Sequence, residues 1–408
     1  MRILIVSQHY KPEPFNVSET SEELVRRGHD VTVLTALPNC PGGIVLEEFR
    51  HGQHRDEVDT GVRVVRVPIV ARGKDLHGMN KLRRAANYVS FPLSCQLTNA
   101  AMDSEYDCVL CFQFSPILMA VPALRMARRQ GVPCLLWSFD LWPEDMLTGG
   151  IRRSGVPYRI MCRVSRRIYA SADMVAVTSP GFEKYFSEQL GLQGLKTRWL
   201  PQFAEDVFGD VPSMRVSGGD IIFTFAGNVG GNQAVETVVR AASLLKDDRI
   251  LVRIVGSGSR LEACKHLAAD LRARNVEFLG RLPLESMPRL YADSDAMILT
   301  LSRPQGDSLV PVYTIPRKFQ SYIAAGRPVL CSAEGTVAEI VRGEGCGIAC
   351  PAEDAEGLAE AMERFARMPR TRREEMGTAA RGLYERRYSR DRFFADLETL
   401  LSELTGRK

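Results

Sequence analysis

IPRKFQSYIAAGRPVLC, residues 315–331, reads as a turn, a short helix and a buried strand. Pro316 can open a helix, because its missing N–H would be unpaired there anyway. Phe319, Tyr322 and Ile323 recur at helical spacing and would face a core. Gly326 suits the helix stop, Pro328 cannot extend the helix, and Val329 and Leu330 begin a strand. Arg317 and Lys318 fall in the first helical turn, where cations oppose the macrodipole and free N–H groups favour an anion. Two cations placed against stability point to a phosphate site.

Working outward, short apolar runs alternate with helical patterns along the whole chain. In the first half the predicted strands are 3–6, 31–35, 62–67, 108–112, 134–138 and 174–178, with helical patterns at 19–27, 81–102, 116–129 and 158–170. Residues 210–220, DVPSMRVSGGD, read as a linker. Six further strands follow, at 221–226, 251–255, 276–279, 296–300, 328–331 and 347–350. Strands apolar on both faces and separated by helices argue a parallel sheet wrapped by helices. The expected fold is α/β: two doubly wound, Rossmann-like domains whose strand carboxyl ends face a cleft. The expected boundaries are 1–205, 206–387 and a last amphipathic helix within 388–408.

With 408 residues, one ordinary core is too small. A net charge of +4, from 53 basic and 49 acidic side chains, does not suggest nucleic acid. The first apolar run, residues 1–6, is shorter than a signal-peptide core, and no apolar run approaches a membrane span. Ten cysteines lack framework spacing and read as reduced, cytoplasmic thiols. No G-x-G-x-x-G follows the first strand, which argues against a nicotinamide or flavin cofactor.

The loop after the first strand, residues 7–16, is long and irregular and brings His9, Glu13 and Asn16 to the cleft edge. His9 reads as either a catalytic base or an ordinary loop histidine. Asp140 follows the strand 134–138 within WSFDLWPED, where three carboxylates and two tryptophans fit sugar recognition; a capped helix start with aromatic packing fits too. Glu144 and Asp145 share that stretch. In the second half, Gly227 and Asn228 open a Gly-rich turn before a helix, and Gly256 repeats the theme. Glu339 begins another helix at the same edge. Asp293-Ser294-Asp295 has the D-x-D form of metal-dependent sugar transferases, but it precedes its strand and so lies at the wrong edge. Lys81, Arg83 and Arg84, and Arg152, Arg153, Arg159, Arg163, Arg166 and Arg167, form basic helical surfaces. Val156, Ile160, Val164 and Ile168 read as the second region's apolar face. Such surfaces suit an anionic membrane or a solvated face.

Together these pieces resemble the GT-B retaining glycosyltransferases of family 4, in the bacterial surface-polysaccharide branch that includes N-acetyl-L-fucosamine transferases. The carrying residues are RGHDVTVLT at 27–35 with Pro38-Asn39, DLWPE at 140–144, Ala226-Gly227-Asn228, Phe278-Leu279-Gly280-Arg281, and Pro316, Lys318, Tyr322, Ala324, Ala325, Gly326, Pro328 and Val329. The resemblance implies a UDP-sugar donor on the second domain, near Arg281, Arg317, Lys318 and Ser321. It implies a polyprenyl-diphosphate-linked saccharide on the first, no metal, and a peripheral position on the inner membrane face. It implies a last helix that crosses back to the first domain. Lys318 and Asp140 become the catalytic candidates. The sequence departs from the family where many members carry two glutamates: Tyr313 and Ser321 stand there, and Asn232 and Gln233 replace a basic pair. The alternatives are a UDP-sugar epimerase of the same fold, which would act on donor alone, and a non-catalytic binding subunit.

Overall fold

The computed structural model describes residues 1–40, 42–73, 81–209, 211, 219–304 and 308–406. The chain forms two units. One comprises Met1–Thr178, Tyr185–Leu200 and Leu397–Lys408; the other comprises Ser179–Lys184 and Pro201–Asp396.

The first unit is built on an eight-stranded sheet. Its strands are β1 (Arg2–Val6), β2 (Asp30–Ala36), β3 (Asp56–Asp59), β4 (Val62–Val67), β5 (Cys108–Gln113), β6 (Cys134–Ser138), β7 (Met174–Val177) and β8 (Thr197–Trp199). The order is β3-β4-β2-β1-β5-β6-β7-β8, parallel throughout except where β3 meets β4. β1, β5 and β6 are adjacent at the centre, with Ile3 opposite Cys108 and Val109 opposite Cys134. Their side chains are buried on both faces, as a helix-covered parallel sheet requires. The chain beyond each carboxyl end must therefore turn outward there, and these turns carry the polar residues.

The second unit has six parallel strands: β9 (Ile221–Ala226), β10 (Ile250–Val255), β11 (Val276–Gly280), β12 (Ala296–Thr300), β13 (Val329–Ser332) and β14 (Gly347–Cys350). Their order is β11-β10-β9-β12-β13-β14. The chain reverses direction across the sheet at the β9/β12 boundary, the place where such folds bind ligands. Most of the expected linker lies outside the described residues. A short helix spans Val310–Tyr313, just before the stretch that opens at residue 315.

The last helix, Arg390–Thr405, begins in the second unit and ends in the first. In the first unit its Glu398 pairs with Arg27 at 3.1 Å and His29 at 3.0 Å. The Arg-Gly-His stretch after the first helix is thus an anchor for the chain's end. Among the described residues, no helix is long and apolar enough to cross a membrane.

Candidate active site

The helix expected from the opening stretch spans Arg317–Ala324, with Pro316 at the preceding cap position rather than inside it. Phe319, Tyr322 and Ile323 are fully buried, each contributing on the order of 1.5–3 kcal/mol of apolar burial. Tyr322 Oη also donates to Ala226 O at 2.8 Å and accepts from Ala226 N at 2.9 Å. These two bonds pin the helix to the last residue of β9, directly before Gly227. Lys318 is one turn back on that helix, so its amine is carried onto the glycine turn. Nζ lies 4.0 Å from the Phe225 ring centre and donates to Gln233 Oε1 at 2.5 Å. A Cβ on Gly227 would meet Lys318 Cε at 3.2 Å.

Desolvation lowers the Lys318 pKa to about 7. The ring face favours the ammonium, but burial outweighs it. Burial therefore penalises the Lys318 ammonium in the free protein, and a neighbouring anion would favour it.

The glycines do something other than expose free N–H groups. Gly227 N donates to Val255 O at 2.9 Å and Gly256 N to Gly280 O at 2.7 Å. A Cβ on Gly256, whose φ is +138°, would fall 1.8 Å from Gly227 O. The N–H groups of Gly227 and Gly256 are thus taken up between the turns, so free N–H groups for a ligand fall to the helix that follows rather than to these two glycines. Their missing side chains let the turns after β9, β10 and β11 nest against one another and against Lys318. Asn228 and Arg281 are exposed at these turns, and Glu339 is exposed on the helix Thr336–Gly343.

Ser321 is buried, and its hydroxyl donates to Glu205 Oε2 at 3.2 Å; Arg317 pairs with Glu205 Oε1 at 3.0 Å. Glu205 therefore supplies a carboxylate at the helix face where the sequence itself offers a serine. It also offsets the unfavourable first-turn position of Arg317. Sequence reading missed it, as it missed the contact between Lys318 and Gln233, because partners 116 and 85 positions away leave no local signal. Tyr313 is buried. Asp293-Ser294-Asp295 is structural: Asp295 Oδ2 accepts from Ile222 N at 2.9 Å, and Ser294 Oγ meets Thr224 Oγ1 at 2.7 Å. No group of three or more metal-ligating side chains occurs among the described residues.

In the first unit, the turns after β1, β5 and β6 meet. His9 Nδ1 lies 2.6 Å from Glu13 Oε2, and both side chains are buried. The other Glu13 oxygen accepts from the Asn39 and Cys40 backbones at 2.6 and 2.7 Å. A carboxylate held this way only accepts, so Nδ1 carries hydrogen and Nε2 is left to face Arg72 Nη2, 3.5 Å away. The ring stacks on Phe15 at 4.3 Å. Asp140 sits two residues past β6. Burial raises its pKa, opposed by hydrogen bonds from Ser115 and by His9. Asp145 is raised well above the carboxylate range by burial and by the Asp140 charge. Ser115 Oγ donates to Asp145 Oδ2 at 3.0 Å and accepts from Trp142 Nε1 at 2.9 Å. Ser115 escaped the sequence reading because one serine after a strand is unremarkable.

Two first-unit expectations change. Glu144 is not open to a ligand: its side chain is fully buried, paired with Arg153 at 2.6 Å and bonded by Tyr158 and Tyr185 at 3.1 Å each. Asn16 is buried at the cap position of helix Val17–Arg26, with no side-chain cap bond, and its carbonyl accepts from Thr20. The apolar positions of helix Val156–Ala170 also divide. Ile168 is buried with Tyr158 and Tyr169, whereas Val156 and Ile160 are more than half exposed.

Two α/β units built on parallel sheets, with a basic glycine turn in the second and a His–carboxylate cluster in the first, have the architecture of the GT-B fold. Residues 16–201 match the glycosyl transferase 4-like domain and residues 212–383 the glycosyl transferases group 1 domain. The chain thus carries a glycosyl transferase 4-like domain followed by a glycosyl transferases group 1 domain. It is 26% identical to the probable glycosyltransferase WbjE of Pseudomonas aeruginosa over 335 residues, covering 78% of this chain and 80% of that protein. It is 23% identical to the putative colanic acid biosynthesis glycosyl transferase WcaI of Escherichia coli K12 over 352 residues, 82% and 84% of the two chains. Its fold is similar to Anabaena HepE, crystallised with UDP and glucose, at a TM-score of 0.68 and 15% identity over 99% of this chain and 100% of that one.

Proposed function

We propose that the protein is a hexosyltransferase that moves an N-acetylated hexose from a UDP-sugar to a lipid-linked saccharide, with retention, in surface-polysaccharide assembly. Within that activity it belongs with the N-acetyl-L-fucosamine transferase-like branch. The observation that carries the reading is the desolvated Lys318 amine tethered over the Gly227 turn. The UDP bound by HepE and the polysaccharide named for WcaI support the donor and the pathway class.

Lys318 and Arg317 neutralise the donor diphosphate without a metal, and the Glu205 carboxylate accepts from ribose or sugar hydroxyls. In the transfer, the bond from the sugar C1 to the β-phosphate oxygen breaks and a bond from C1 to the acceptor oxygen forms. The acceptor proton passes to the leaving phosphate, so no protein base is consumed. Asp140 stabilises the cationic sugar or orients the acceptor, and Glu13 fixes the tautomer of His9 beside it. The acceptor is a polyprenyl-diphosphate-linked saccharide. Exposed Leu82 and Leu97, at 86% and 84%, with Arg83 and Arg84, support work at the anionic inner face of the cell membrane.

The experiment is a thermal-shift screen over nucleotide sugars, followed by turnover with Lys318→Ala and with a chelator present. A donor that binds only the folded chain raises the midpoint. Lys318→Ala should cost about 10²–10³ in kcat. Near-normal turnover of that variant at saturating donor refutes the mechanism, and conversion of donor without acceptor refutes transfer.

A further inference from the structure

The first unit contains a cavity of about 510 Å³ next to the Asp140 turn, within the roughly 300–1,000 Å³ range of small-ligand sites. Tyr88, Leu118, Trp142 and Met161 form its walls. Tyr88 meets Trp142 edge to face at 6.2 Å. The Trp142 indole N–H is already donated to Ser115, and the Ser115 hydroxyl to Asp145. An indole wall whose N–H is already bonded, set beside Leu118 and Met161, offers carbon surface, which suits a hydrocarbon chain better than a sugar.

Two features say which hydrocarbon. Val89 lines the cavity and also belongs to an exposed apolar stripe, Leu82, Val89, Leu93 and Leu97, along helix Lys81–Thr98. Spacings of seven, four and four place these residues on one helix face. The cavity thus continues into a surface suited to lipid. Arg84 is exposed and lines the same cavity, next to Arg83. A cation at the edge of an apolar cavity complements a chain that ends in a phosphate. Asp145, at the polar edge, has its carboxyl pKa raised by burial and by Asp140, and its Oδ2 is taken up by the Ser115 hydroxyl.

We propose that this cavity binds the head-proximal part of the apolar chain of a phosphate-headed lipid acceptor, with Arg84 meeting the phosphate. The inference rests on the lipid-linked acceptor reading and assigns that acceptor's chain to a place. The saccharide beyond the phosphate would then lie toward Asp140.

The test uses the full chain and three probes: dodecyl phosphate below its micelle concentration, dodecanol and inorganic phosphate. Binding is measured by calorimetry. Ala85→Phe fills the cavity from an exposed helical position. It should weaken dodecyl phosphate and dodecanol about tenfold or more, the loss expected when two or so methylenes are kept out of an apolar site. Arg84→Gln should weaken dodecyl phosphate alone, and inorganic phosphate should bind far more weakly than dodecyl phosphate. Retained UDP binding by both variants shows that they fold. Unchanged dodecyl phosphate affinity in Ala85→Phe overturns the proposal, as does equal binding of inorganic phosphate. Sedimentation with anionic phosphatidylglycerol vesicles separates bulk lipid from acceptor: Leu93→Glu should weaken it and Ala85→Phe should not. Equal loss in both assigns the cavity to the bilayer and also overturns the proposal. If the chain probes bind as expected while no nucleotide sugar binds, the transferase reading fails and the cavity assignment stands.

Discussion

Lys318 makes UDP binding pH-dependent in a way that can be worked out beforehand. Its ammonium loses a proton near pH 7 in the free protein, against 10.5 for an ordinary lysine, because burial penalises the charge. A diphosphate placed at the Gly227 turn would restore the charged form. At pH 8 the free amine is about nine-tenths neutral, so each UDP bound should take up about 0.9 proton. UDP is already fully ionised there, because a terminal phosphate loses its last proton near pH 6. Affinity should then fall roughly tenfold per pH unit above pH 7 until the pKa of the complex is reached. The sign for folding is opposite. Between about pH 7 and 10.5 the unfolded chain binds more protons at this site than the folded one, so stability of the free protein rises with pH. Calorimetry of UDP binding at pH 8, in buffers of different ionisation enthalpy, reads the proton uptake directly. Lys318→Met should abolish it. Uptake near zero in the unaltered protein would show that Lys318 does not face the diphosphate.

Other perturbations follow from the same contacts. Glu144→Ala leaves Arg153 and two tyrosine hydroxyls without their shared acceptor and should cost about 3 kcal/mol in urea unfolding. Gly256→Ala drives a methyl group into Gly227 O and should cost at least about 3 kcal/mol while weakening UDP, measured by unfolding and calorimetry together. Glu13→Gln keeps the shape but removes the charge that fixes His9 through Nδ1; kcat should fall while UDP affinity, read by calorimetry, is unchanged.

The central parallel strands are legible because a strand buried on both faces is an unbroken apolar run, and the edge strands β11 and β14 follow from the helices that separate them. The second unit's strands therefore appear where the sequence puts them, within a residue at each end. β3 is not legible: Asp56–Asp59 is three acids and one valine, paired antiparallel at the sheet edge, where no burial constrains it. β8 is three residues long and below any periodicity. Exposure also separates the two basic surfaces from the apolar core in ways that spacing does not. Val156 and Ile160 keep helical spacing with Ile168, yet only Ile168 reaches the interior.

The site divides on the same physical line. Lys318 is legible because its own helix announces it: Phe319, Tyr322 and Ile323 fix the buried face, and a cation beside them at the wrong end of the dipole needs a reason. Glu205 is not, because nothing in residues 201–205 marks a carboxylate that must fold onto a helix more than a hundred positions away. Its arrival changes the meaning of Ser321. A serine in place of a glutamate reads as a lost contact in the sequence, but its hydroxyl orients a carboxylate delivered from elsewhere. Glu205→Gln should then raise the Michaelis constant for the UDP-sugar several-fold with kcat nearly kept. Its half-exposed pair with Arg317 should contribute no more than about 1 kcal/mol to stability. Ser321→Ala should act in the same direction and more weakly, because it frees the carboxylate without removing it. Ser321→Glu in the Glu205→Gln background tests the exchange itself. Recovery of donor affinity shows that one carboxylate at this helix face is what the donor needs, whichever residue supplies it. No recovery, with the fold intact, would mean that Glu205 serves only to hold Arg317.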